Sequence, residues 1–134
     1  MAKKIKKTQK IVKKKKQPRL IAKGIFYVNS TFNNTMITLT DENGNVVIST
    51  SAGAAGFKGA KKATPFAATL VAKTVVEKAS NLGLKNAEIN ISGVGSGRDS
   101  AVRTLVTAGF DINKITDITP IPHNGCRPKK PRRV

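Results

Sequence analysis

The chain has no tryptophan, one cysteine, one histidine and only seven acidic residues among its 134. Each shortage excludes something. A single cysteine cannot close an internal disulfide, which fits a reducing compartment. One Cys and one His do not fill a tetrahedral zinc site. A metal-dependent nuclease needs carboxylates that converge. Here Asp41 and Glu42 flank a turn, Asp99 suits a helix start, and Asp111 and Asp117 bracket a strand. The longest near-apolar run, Phe66 to Ala72, is far short of a membrane span. The sequence therefore reads as a single small domain without an enzymatic centre, cofactor, metal or membrane segment.

What the chain has in excess is positive charge. It carries 25 Lys and Arg, for a formal net charge of +18. Residues 1–23 hold 11 of these bases and no acid, and residues 120–134 hold 5 and no acid. The 9 bases and 7 acids between them leave that stretch nearly neutral. The organisation is a body over 24–119 with a Lys-rich N-terminal arm over 1–23 and a basic, Pro-rich C-terminal arm over 120–134. Charge of this size implies a polyanionic partner. The first arm lacks the apolar stretch of a signal peptide and reads as a segment that orders on phosphates. The second is stiffened by Pro120, Pro122, Pro128 and Pro131, and its arginines suit bidentate phosphate contact.

The body opens with strands. Gly24 to Phe32 is apolar on both alternating faces, which predicts a strand covered on both sides. Thr35 to Thr40 and Val46 to Thr50 are β-branched runs joined through Asn43-Gly44, predicting a type I′ hairpin. A Gly-rich loop with Lys58, Lys61 and Lys62 follows. Thr64-Pro65 starts a helix, and Ala68, Val71, Ala72, Val75, Ala79 and Leu82 form its buried stripe up to Gly83. A half-buried strand over 87–91, a second glycine loop over 93–97, a helix from Arg98 to Ala108 and a last strand ended by Pro120 complete the order βββαβαβ. That order predicts an α/β domain with a mixed sheet.

Two segments match the chemistry of phosphate binding, because glycines let backbone approach an anion and helix starts offer free amides. One is the Lys58–Lys62 loop before Thr64. The other is Gly93-Val94-Gly95-Ser96-Gly97-Arg98, which has Arg where a dinucleotide fingerprint needs its third Gly and lacks the Gly-Lys-Ser/Thr of a Walker loop. Spacing alone leaves open whether the two lie together, and the second also suits an ordinary tight turn. Phe32, beside the Asn33-Asn34 turn, is a single candidate for stacking on a base. His123 and Cys126 lack a scaffold that would make them a nucleophile pair. Composition alone would also allow a free, histone-like packaging protein.

Phe32-Asn33-Asn34-Thr35, Gly56-Phe57-Lys58-Gly59, Lys62-Ala63-Thr64-Pro65-Phe66-Ala67-Ala68, Gly95-Ser96-Gly97-Arg98 and the run from Asp117 to Pro128 together resemble the bacterial-type small-subunit ribosomal protein S eleven family. The resemblance covers about Lys23 to the C-terminus. It implies a ribonuclease H-like, three-layer α/β/α fold of about five strands, without catalysis. It implies binding to small-subunit ribosomal RNA on the platform, near the E site and the mRNA exit side, next to proteins S eighteen, S twenty-one, S seven and S six. RNA contact would fall on Asn33, Asn34, Lys58, Lys61, Lys62, Thr64, Arg98, Arg103, His123, Asn124, Arg127, Lys129, Lys130, Arg132 and Arg133. Family members commonly carry Lys and Pro where this chain has Ser92 and Val94, and frequently Trp where it has Ser49. The implied setting is a cytoplasmic ribosome, or that of an organelle such as a plastid.

Asn124 precedes Gly125, and so small a following residue leaves its side chain open to attack by the next backbone nitrogen. The expected product is isoaspartate. Peptide mass spectrometry of aged protein should find a deamidated 124–125 site, and an unmodified Asn124 would oppose the expectation.

Overall fold

The computed structural model describes residues 19–133, so the Lys-rich arm lies outside the described residues except for 19–23. The elements are β1 (Lys23–Ser30), β2 (Thr35–Thr40), β3 (Val46–Ser51), a short 3-10 helix (Gly59–Ala63), α1 (Pro65–Asn81), β4 (Asn86–Gly93), α2 (Arg98–Thr107) and β5 (Asp111–Asp117). The expected order βββαβαβ is present. α1 starts and stops where the sequence signals put it: Thr64 accepts a hydrogen bond from the Ala67 N–H, Pro65 takes the first turn, and the helix closes at Leu82 ahead of Gly83.

The strands form one mixed sheet in the order β3-β2-β1-β4-β5. β1 pairs antiparallel with β2 and parallel with β4, β2 pairs antiparallel with β3, and β4 pairs parallel with β5. β1, β3, β4 and β5 therefore all run the same way. The two crossovers, β3 to β4 through α1 and β4 to β5 through α2, also advance in the same direction across the sheet. Because such crossovers are right-handed, both helices come to lie on one face. There α1 covers β2 and β3, α2 covers β1 and β4, and the helices pack against each other.

This explains a difference from expectation. Of the three layers implied by the resemblance, the described residues build two. A helix on the other face would need a connection running back across the sheet, and the described chain contains none. β1 is likewise covered on one side only. Phe26, Val28 and Ser30 are buried beneath the helices, while Ile25 and Tyr27 on the other face remain half-exposed. That open face is mostly polar and uncharged in the middle of the sheet: Ser49, Thr38, Tyr27, Asn90 and Thr116 lie in register across all five strands.

The core sits between this sheet and the helices. Phe26, Val28, Ile37, Leu39 and Ile89 meet Val71, Val75 and Leu105, all fully buried. Four alanines of α1, Ala67, Ala68, Ala72 and Ala79, are also fully buried, and their small side chains let the helix come close to its neighbours. Phe110 closes the core beside Phe26, with ring centroids 5.8 Å apart.

The β2–β3 hairpin also departs from expectation. A type I′ turn needs positive φ at both central positions, yet only Gly44 has it (φ 86), and Asn43 does not. The Gly44 N–H bonds the Asp41 carbonyl, the Asp41 N–H bonds the Asn45 carbonyl, and the Asp41 carboxylate accepts the N–H groups of Asn43 and Asn45. The result is a three-residue loop closed by a left-handed glycine. The Asp41 side chain supplies the local bonds that favour it, and they hold its carboxyl below its usual range, led by the side chain of Asn45. Two irregularities complete the sheet: a bulge in β3 opposite Leu39/Thr40 and another in β5 opposite Ala87/Glu88.

Phe26→Ala should destabilise the body by about 3–5 kcal/mol, read as a lower urea midpoint with little change in slope.

Candidate nucleic-acid interface

Four co-directional strands deliver four pieces of chain to one end of the sheet. β1 leads into the Thr31–Asn34 turn, β3 into the loop and 3-10 helix with Lys58, Lys61 and Lys62, β4 into the glycine loop, and β5 into the C-terminal arm. Residues 31–34, 52–64, 94–98 and 118–133 contain no Asp or Glu. In open α/β sheets this carboxyl end of the parallel strands is where ligands gather.

Backbone contacts lock these pieces together, settling what spacing left open. In the glycine loop, the Gly95 N–H donates to the Ser30 carbonyl. A side chain at Gly95 would collide with Ser30 and Thr31, and one at Gly97 would lie 2.6 Å from Thr35 Oγ1 and 2.8 Å from Ala68 Cβ. Ser96 Oγ donates to the Ala63 carbonyl at 2.7 Å, joining the glycine loop to the end of the lysine loop. The N-termini of α1 and α2 are therefore neighbours. The glycines serve packing directly, since only a bare backbone fits between the β1–β2 turn and α1.

Individual candidates divide by how they are held. Asn34 shapes its own turn: its Oδ1 accepts the Thr35 N–H at 2.9 Å, while Thr31 Oγ1 accepts the Asn34 N–H at 3.1 Å. Asn33 is exposed at the tip. Thr64 is similarly committed, accepting from Ala67 and donating to the Lys61 carbonyl at 2.8 Å. Lys58 and Lys61 are exposed and Lys62 is half-buried. Arg103 is exposed on α2, beyond its first turn and away from the loops. His123, Asn124, Arg127, Lys129, Lys130, Arg132 and Arg133 are all exposed along the arm, and Asn124 has a left-handed backbone (φ 60).

Arg98 has a definite intramolecular role. One guanidinium nitrogen donates to the Gly93 carbonyl at 2.9 Å and another pairs with the Asp117 carboxylate. Asp117 in turn accepts the backbone N–H of Thr119 at 3.0 Å and its hydroxyl at 2.6 Å. Thr119 Oγ1 also accepts the Gly93 N–H at 3.3 Å, and the Ile118 N–H reaches the Ile91 carbonyl at 2.8 Å. This clasp fixes the root of the C-terminal arm to β4 and α2. Sequence reasoning gave Asp117 and Thr119 no such part, although an Asp two residues before a Thr is the spacing of a local side-chain turn.

A groove of about 940 Å³ lies at the opposite end of the sheet, lined in part by Leu20, Ile21, Val46 and Leu82, with Asp41 and Glu42 beside it. Asp41 and Glu42 are thus separated from the basic loops by the length of the strands, and Arg19, Lys23 and Lys78 line the same groove, whereas Asp117 and Asp99 lie at the loop end, Asp117 paired with Arg98. No helix among the described residues is long and apolar enough to cross a membrane.

The Asp117 carboxyl is held at about 2 against an ordinary 3.8, first by the Thr119 hydroxyl, then by the Thr119 N–H and Arg98. A depressed value makes the clasp fully effective above about 3.8 and lost as pH falls through about 2. A nitroxide on Cys126, the lone and exposed cysteine, should gain mobility across that acid window. Asp117→Ala should free it already at neutral pH without loss of secondary structure.

The sequence matches the family model described as Ribosomal protein S11 over residues 24–133. That span takes in the sheet except for Lys23, both helices and nearly all of the C-terminal arm. The chain belongs to the ribosomal protein S11 family, and is a structural, non-enzymatic constituent of the small ribosomal subunit that serves in translation.

Proposed function

We propose that this protein binds small-subunit ribosomal RNA through the carboxyl end of its sheet and, with the two arms, holds the subunit platform together near the E site and the mRNA exit side. The observation that carries this proposal is the meeting of acid-free chain segments at one end of a rigid sheet. Lys58, Lys61, Lys62 and the arm bases neutralise phosphates and release counterions, Asn33 offers an amide at the turn tip, and the body fixes their spacing. The footprint suits RNA shape more than base sequence.

Asn34, Thr64 and Arg98 act mainly by holding the contacting loops in place, with Arg98 aiming the arm. Arg103 reaches RNA only at the flank of the footprint. S eighteen, S twenty-one, S seven and S six are the proposed protein neighbours, supported by the family resemblance. The setting is the cytoplasmic ribosome, with a plastid ribosome as the alternative.

Sedimentation tests the proposal as a whole. The tagged protein should co-migrate with small subunits, and confinement to free fractions would sink it. Replacing Lys58, Lys61 and Lys62 by Gln should weaken RNA binding and reduce the salt slope by roughly 0.7–0.9 per lost phosphate contact. An unchanged slope would remove that loop from the interface. Deleting 123–134 should impair placement on the subunit, whereas Cys126→Ser should do little.

A further inference from the structure

Phe66 is the second residue of α1 and is 67% exposed, an unusual position for a ring whose burial ordinarily stabilises a fold. It is nevertheless held firmly. Pro65 and the Thr64 cap fix the backbone beneath it. Its ring meets Phe57 nearly perpendicularly, with centroids 6.1 Å apart and planes at 85°. Phe57 packs against the core, and its N–H donates to the Ala52 carbonyl at 3.1 Å. A perpendicular contact occupies at most one face of a ring, and the high exposure of Phe66 leaves most of the residue open to solvent.

The surroundings select what covers it. No acidic residue occurs between Glu42 and Glu77, whereas Lys58, Lys61 and Lys62 lie just ahead of Phe66 in the chain. Neither ion pair among the described residues, Lys23 with Glu42 and Arg98 with Asp117, uses these lysines. An exposed aromatic ring that follows three lysines outside any ion pair, with Asp99 in the first turn of the neighbouring α2 as the nearby acid, is an arrangement that holds single-stranded nucleic acid: the ring stacks on a base and the cations take the adjoining phosphates.

We propose that Phe66, backed by Phe57, is a stacking platform for an unpaired base of the bound RNA. The proposal rests on the RNA-binding role given above and adds a requirement for a nucleotide outside a duplex. Stacking accepts any base, so this contact would confer a preference for loops or bulges and none for a particular sequence.

The chain has no tryptophan, so Phe66→Trp places a unique fluorophore at the site. Its emission should be quenched saturably by a single-stranded A-rich oligoribonucleotide, and not by a duplex of equal length at the same salt. Phe66→Leu, which keeps an apolar side chain but removes the ring, should bind the single strand about tenfold more weakly or worse. Its salt slope should match the wild type, because no charge is lost, and Phe66→Trp should retain wild-type affinity. Emission unchanged while RNA binds normally would overturn the proposal and leave a neighbouring protein as the occupant of the ring. Equal quenching by duplex would overturn the unpaired-base assignment. A wild-type protein that binds neither RNA would instead refute the RNA-binding role itself, which separates the two failures.

Discussion

The common direction of β1, β3, β4 and β5 is the constraint on which the rest depends. Parallel strands cannot be joined by tight turns, so each releases its chain at the same end, and the chain returns through the antiparallel β2 after β1 and through a helix after β3 and β4. Every connection from that end becomes a loop in one cluster, and every return brings the chain back to the end that bears the β2–β3 hairpin. The protein needs no large surface to bring distant residues together. Its topology alone gathers pieces as far apart in sequence as Thr31 and Cys126.

Gathering lysines in this way works against the free protein, because like charges brought close raise its energy. The two ion pairs among the described residues give no relief there. Lys23–Glu42 is exposed and at the far end, where such a pair contributes little, and Arg98–Asp117 serves the arm root. The charge is compensated only when a polyanion arrives, so the same residues that repel one another in isolation favour the complex.

Much of this was legible in the sequence because the signals were local. The Thr64-Pro65 start, the apolar stripe to Ala79 and the stop at Gly83 act within one helix, and they appear where expected. The glycine loop was less legible: its composition suits a phosphate cradle, and only the packing of Gly95 and Gly97 against Ser30, Thr31, Thr35 and Ala68 shows why side chains are absent. The intramolecular part of Arg98 was hidden for a related reason. A lone Arg after glycines reads as a free cation until its partner, 19 residues away in sequence, is known. The hairpin was misjudged because Asp41 lies just before the Asn-Gly pair, and its carboxylate favours a longer loop. The open sheet face was missed because apolar residues on both sides of β1 indicate partial shelter, and in a central strand the flanking strands alone supply it.

The bulges of the sheet have a consequence for the life of the protein before it reaches a ribosome. They fall in β3 and β5, the two outermost strands, and not between β1 and its neighbours. An outer strand exposes a row of unpaired backbone groups on which another copy can continue the sheet. An extra residue breaks the regular repeat of that row and twists it away, and in β5 it is followed by the charged Lys114. A chain not yet bound to RNA is thus a poor template for another copy to pair with.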